Sequence, residues 1–194
     1  EFFTRSLTRF VSSFKAWFDV EEFRRSDRRY NWTQEELTKL VPAWFGGADL
    51  SKLHDLTAAD LVGEIPQKTA AAWCERWAKE DSSESVWIPP EDVTVVLPHC
   101  WFPITAATEK ANEDQIPLFG WQEDGWLTIC NNPTVNVSDV VRWFSEMRSK
   151  GFRIKEVGHD RKFSGEEYYP EMKAAGFRIV EQPQMYWIKS KGFR

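Results

Sequence analysis

Cysteine is scarce in this 194-residue chain, and long apolar runs are missing altogether. Cys74, Cys100 and Cys130 lie far apart, are odd in number and form no C-x-x-C pair. That pattern argues against a disulfide framework or a zinc ribbon and fits a reducing, cytoplasmic setting. No stretch approaches the roughly 20 apolar residues needed to span a bilayer, so no membrane partner is expected. The opening EFFTRSLTRF carries charges through its apolar positions and lacks the pattern of a signal peptide. A phosphate-cradling G-x-x-x-x-G-K-S/T loop is absent, so ATP hydrolysis is not expected. Internal repeats and low-complexity tracts are missing too. The chain opens on Glu1 instead of Met, which reads as a fragment of a longer protein.

The residues that are present describe one folded domain with a substantial core, since 42% of them are hydrophobic. Eleven Trp and fourteen Phe exceed ordinary use, and core is the first expectation for them. A partner surface or a platform for stacking bases stays open. The net charge of −5 hides an asymmetry. From Arg148 to Arg194 there are eleven Lys or Arg against six Asp or Glu, so a basic end sits on an acidic body. Such an arrangement suits local contact with a polyanion.

Phe3, Leu7, Phe10, Phe14, Trp17 and Phe18 recur at helical spacing, with Arg5, Arg9 and Lys15 between them. The basic stretch FRRSDRRYNWT follows as loop, and T-Q-E-E opens a short helix with Thr33 as N-cap and Glu36 completing a capping box. Residues 1–40 are therefore a helical lead-in, and 41–194 carry the main sheet. PAWFGGADLS reads as a strand ending in Asp49, and LTAADLVGEI as its antiparallel partner. TAAAWCERWAKE is helical, VTVVLPH a β-branched strand, and ITAATEKANED a helix with Thr105 as a candidate cap. GWLTICN is a strand, and SDVVRWFSEMRSKG a helix capped by Ser138 and stopped by Gly151. Strand FRIKEVGHD, helix GEEYYPEMKAAG and strand FRIVEQP complete the order. The synthesis is an α/β mixed sheet, antiparallel in its first half and parallel in its second, with flanking helices.

Two aspartates end strands: Asp49 after W-F-G-G-A and Asp160 after I-K-E-V-G-H. Carboxylates held on adjacent strand ends can converge on a hard cation. Singly, each is more commonly a turn-former or a cap. Asp55 lies in the turn after Asp49, where a turn-stabilising role and a reach to a metal through a water are both open. Glu166 and Glu167 open a helix, where its dipole already favours acids. His159 should face away from Asp160 by strand alternation, as a buried structural histidine. His54, His99 and Cys100 lack the paired spacing of a zinc site.

GGADLSKLHDLTAA resembles the first acidic motif of the large terminase subunits of tailed double-stranded DNA bacteriophages, and VGHDRKF resembles their second. AAGFRIVEQPQMYWIKSKGFR is similar to the stretch that follows, FKAWFDVEEFRRSD to the connector from the packaging ATPase, and VVLPHCWFP and IPLFGWQEDGWLTIC to the lambdoid branch. The likeness covers most of the chain in the right order.

The resemblance implies the C-terminal nuclease domain, of ribonuclease-H-like fold, spanning 41–194 and lacking its C-terminal end. It implies two-metal-ion hydrolysis of concatemeric double-stranded viral DNA, with two Mg²⁺ or Mn²⁺ ions and Asp49 and Asp160 as catalytic metal ligands. Arg161, Lys162, Lys189, Lys191 and Arg194 would contact phosphates, with Arg24, Arg25, Arg28 and Arg29 in similar or merely solvating roles. The partners implied are double-stranded DNA, the terminase ATPase domain, the small terminase subunit and the portal of the procapsid, in the host cell cytoplasm. The family's third acid would fall beyond Arg194, which leaves the activity of this fragment open. A catalytically incomplete DNA-holding or docking module is one alternative. Another ribonuclease-H-like enzyme, a junction resolvase or an RNA-cleaving hydrolase, is the other.

Overall fold

A computed structural model describes residues 32–51, 56–80, 87–113, 117–160 and 167–182, with the backbone alone for 109–113. The expected N-terminal amphipathic helix and Arg24, Arg25, Arg28 and Arg29 lie outside the described residues. The chain divides into two compact units, 1–34 and 35–194, and the sheet and its helices belong to the second.

In chain order the elements are α1 (Gln34–Leu40), β1 (Trp44–Asp49), β2 (Thr57–Ile65), α2 (Gln67–Glu80), β3 (Val93–Pro103) and α3 (Ile104–Glu113). They continue with α4 (Leu118–Glu123), β4 (Leu127–Cys130), α5 (Val137–Ser149), β5 (Ile154–His159), α6 (Tyr168–Ala174) and β6 (Ile179–Glu181). The six strands form one sheet in the order β4-β3-β2-β1-β5-β6. β1, β2 and β3 are antiparallel neighbours, and β5 and β6 run parallel to β1 beyond it. β4 pairs parallel with the far side of β3. This is the mixed α/β sheet that the sequence predicts.

Two halves of the sequence meet in the core. β2 buries every second residue from Thr57 to Ile65, the period of a strand with one covered face. α5 buries Val140, Val141, Phe144 and Met147, a helical stripe that faces the sheet. Gly46 makes the close approach possible, because a Cβ there would lie 2.7 Å from Phe144 Cε1. Trp44 stands edge-on to Phe152 at 5.1 Å, and both are buried. On the opposite face, over β3 and β4, Phe102, Leu127, Ala106, Ala107 and Leu118 form a smaller core under α3 and α4.

Three local expectations change. The cap of α5 is Asn136, whose side chain accepts a hydrogen bond from Ser138 N at 3.2 Å. Ser138 Oγ instead donates to Glu171 Oε2 at 2.8 Å, tying α5 to α6. Thr105 is the second residue of α3, since the helix starts at Ile104 straight after β3, which runs on through Cys100 to Pro103. Gly151 does end α5, at a φ of 105° that other residues avoid.

Candidate active site

Directly paired residues share a face of a sheet, and faces alternate along each strand. β1 pairs Ala48 with Ala59 of β2 and with His159 of β5. Ala59, Val157 and His159 are buried, so this face is the one covered by helices. The other face carries Phe45, Gly47 and Asp49 of β1, Ala58, Asp60 and Val62 of β2, and Glu156, Gly158 and Asp160 of β5. All nine line one open cleft of about 610 Å³.

Asp49 and Asp160 stand at the head of this cleft. Ala48 and His159 are register partners on parallel strands, and the two aspartates are the next residues of each. Neighbouring strands run about 4.8 Å apart, so the carboxylates leave the sheet side by side. Ala59 and His159, buried on either side of Ala48, fix the directions of the strand ends. His159 is 3% exposed, its ring against Tyr169 at 4.0 Å and Tyr168 at 5.4 Å. Burial holds its pKa below the usual histidine value, with Glu181 and Asp160 pulling the other way.

Two residues below, Gly47 and Gly158 are partners and leave a trough across the middle of the face. Side chains from the flanking strands fill it. Asp60, the β2 partner of Gly47, places its carboxylate where a Gly47 side chain would be, and Gln182 lies over Gly158, with Cγ 3.0 Å from a Cβ built there. Burial raises the Asp60 pKa, while backbone N–H groups of Gly47 and Asp60 itself oppose the shift. Sequence reading missed Asp60. Its signal was the alternation of LTAADLVGEI, which puts Asp60 on the face opposite Ala59 and Leu61. At the rim Glu156 pairs with the exposed Arg178 at 3.7 Å.

The remaining candidates fall elsewhere. Asp55, His54, Glu166, Arg161, Lys162, Lys189, Lys191 and Arg194 lie outside the described residues. Glu167 precedes α6 without a side-chain capping bond and does not line the cleft. His99 belongs to the covered face, where its Nε2 lies 2.9 Å from Thr128 Oγ1 and its ring stacks on Trp143 at 6.1 Å. Cys100 packs on the small core, and burial pushes its thiol pKa up.

The donor chemistry of the head of the cleft is that of a hard divalent cation: two carboxylates, open to solvent on one side, fixed by strand ends. Among the described residues no group of three or more His, Cys, Asp or Glu is close enough to hold a metal ion. Asp49 and Asp160 would thus supply two protein ligands, and water the others. No helix among the described residues is long and apolar enough to cross a membrane.

No protein-family model and no curated protein matches the chain. Among solved structures it is similar to the crystal structure of the HK97 bacteriophage large terminase, with a TM-score of 0.55 and 22% sequence identity. The match covers 82% of this chain and 31% of that one, so the chain spans about a third of that protein. At this identity the likeness concerns the fold, a terminase-like α/β domain of ribonuclease-H-like type.

Proposed function

We propose that this chain is the metal-dependent nuclease domain of a phage large terminase, of the lambdoid branch, acting on double-stranded viral DNA at the procapsid in the host cytoplasm. The observation that carries the reading is the placement of Asp49 and Asp160 side by side on adjacent parallel strands, at the head of an open cleft.

The chain's own residues do three things in this reading. Asp49 and Asp160 hold Mg²⁺ or Mn²⁺ on rigid strand ends, so little ordering is left for the moment of reaction. Gly47 and Gly158 make room for the Asp60 and Gln182 side chains below the pair, so a backbone phosphate would approach at the head of the cleft, beside the two aspartates. Arg161 and Lys162, directly after Asp160 in sequence, and Lys189, Lys191 and Arg194 supply phosphate contacts that read no base. Bound divalent ions supply an activated water and neutralise charge on the phosphodiester, which removes the need for a serine or cysteine nucleophile. A packaging ATPase domain, a small terminase subunit and a portal are the partners this reading brings.

A second reading has its own support. With only two carboxylates at the head of the cleft among the described residues, the chain would hold DNA without cutting it. Mn²⁺-dependent nicking of supercoiled plasmid separates the two. Cutting by the wild type that is lost in both Asp49→Ala and Asp160→Ala supports the nuclease. Salt-sensitive duplex binding without cutting supports the holding module. Cutting that survives both substitutions sinks the assignment of the acid pair.

A further inference from the structure

Asp60 does not stand up from its strand into water. Its carboxylate leans across the β1 backbone and occupies the space over Gly47, where a Cβ would overlap Oδ1 and lie 3.4 Å from Cγ. Gly47 is partnered on its other side by Gly158, so the carboxylate lies at the edge of a trough that opens toward the acid pair. Backbone N–H groups of Gly47 and Asp60 hold the carboxylate in this pose. Its two oxygens offer more acceptor sites than those two donors fill, which leaves it able to accept a further hydrogen bond from the cleft. Drawing a carboxylate partly out of water is unfavourable unless something it faces repays the desolvation.

Distance sets what that can be. Gly47 and Asp49 are two residues apart, about 6.6 Å along a strand. A hard cation binds oxygen at about 2.0–2.6 Å, so Asp60 lies too far away to share an ion directly with Asp49 and Asp160. That agrees with the lack of a three-carboxylate group among the described residues. One metal–water step followed by one hydrogen bond spans about 5 Å, which does reach.

We propose that Asp60 is a positioning residue of the acid-pair site. Its carboxylate, seated over Gly47, accepts a hydrogen bond from a water on the divalent cation carried by Asp49 and Asp160, and so orients that water and tightens the cation. The inference rests on the nuclease reading, which puts the cation there. Gly47 is part of the device, because any side chain at that position evicts the carboxylate while leaving every acid in place.

The test is titration of the full chain with Mn²⁺ alone, following free Mn²⁺ by its electron paramagnetic resonance signal, with thermal unfolding run beside it. Loss of an outer-shell partner weakens metal binding about 10- to 100-fold. Asp60→Asn and Gly47→Ala are each expected to weaken Mn²⁺ at least about tenfold while keeping the unfolding midpoint of the metal-free chain, and Asp49→Ala to abolish binding. If Asp60→Asn fails to fold, Gly47→Ala alone carries the test. Wild-type Mn²⁺ affinity in the two Asp60-directed variants, with binding lost in Asp49→Ala and Asp160→Ala, overturns the inference and leaves the nuclease reading standing. No uptake of Mn²⁺ by the wild type overturns both. Binding lost in Asp60→Asn yet intact in Asp49→Ala and Asp160→Ala also overturns it, since Asp60 would then act without the pair.

Discussion

Gly46 lies directly beneath Phe144: a Cβ on the glycine would come within 2.7 Å of Phe144 Cε1 and 3.0 Å of Val157 Cγ2. Neither neighbour has room to yield. Phe144 is fully buried, edge-on to Trp143 at 4.9 Å and 6.0 Å from Phe177, and Val157 is buried as well.

Gly46→Ala is therefore expected to destabilise the fold. The loss of unfolded-state entropy favours alanine by about 0.4–1 kcal/mol. Overpacking a tight core costs about 1–3 kcal/mol, and that larger effect wins. At this chain length about 1 kcal/mol moves the midpoint by roughly 2–4 °C, so a thermal melt resolves the change. Gly47→Ala is expected to melt close to the wild type, because what it meets is the end of the Asp60 side chain. Equal melting points for the two variants would show that the tandem glycines do not serve separate faces.

The start of α5 divides its work between two side chains. Asn136 caps the helix through Ser138 N, while Ser138 Oγ reaches Glu171 on α6. Asn136→Ala should cost about 1 kcal/mol, the usual worth of a cap. Ser138→Ala should cost a similar amount for a different reason, the loss of a hydrogen bond to a carboxylate. A double-mutant cycle tells them apart. Ser138→Ala should couple to Glu171→Gln, and Asn136→Ala should add to it within about 0.3–0.5 kcal/mol. Coupling of Asn136 to Glu171 would overturn the division.

These details mark how far the sequence could be read. β2 was legible because it alternates cleanly. β5 was legible because it follows the helix stop at Gly151, although its pairing with β1 is irregular opposite Trp44 and Phe45. The antiparallel start followed from the short turn between β1 and β2. Both strand-end aspartates were visible with their strands, as was the inward turn of His159. The pairing of β1 with β5 joins residues more than 100 positions apart, and nothing local encodes that they are neighbours. Asp60 stayed hidden for this reason: a polar residue on a half-covered strand looks solvated until its partner is known to be a glycine in a cleft. The expectation of Ser138 as the cap fails because Ser and Asn are near-equal in that role. Only the backbone geometry, with Asn136 extended at ψ 127°, decides between them.

His99 gives the fold a dependence on pH. The ring is edge-on to Trp101 at 4.7 Å and stacked on Trp143. Burial holds its pKa below the ordinary histidine value, with Glu146 and a backbone hydrogen bond at Gly125 opposing the shift and Lys150 adding to it. A depressed pKa means that the folded state favours the neutral ring. The stability this contributes is present above the unfolded value of about 6.5 and is lost as pH falls through the folded value. Melting points of wild type and His99→Gln should therefore converge as pH is lowered from about 7.5 to about 5. His159 is shifted in the same direction, so the variant keeps part of the slope. A constant gap between the two proteins across that range would remove His99 from the account.

Asp49 offers a test of whether the acid pair is built for the fold or for a ligand. A structural aspartate stabilises, and its isosteric amide should lower the melting point. Asp49 has the opposite setting: it is exposed, Asp160 is its neighbour across the strand boundary, and Asp60 and Glu156 share the cleft. Like charges side by side on a sheet destabilise it by a few tenths of a kcal/mol up to about 1. Asp49→Asn should thus leave the metal-free protein as stable as the wild type or slightly more so. With Mn²⁺ the order should reverse. A ligand that binds only the folded state adds about 2.7 kcal/mol at a hundredfold excess over its dissociation constant, and the variant should forgo most of that gain. A melt with and without Mn²⁺ therefore gives two independent signs from one substitution. A lowered midpoint without metal would assign Asp49 to the fold, whereas a raised one combined with a lost Mn²⁺ shift would assign it to the cation.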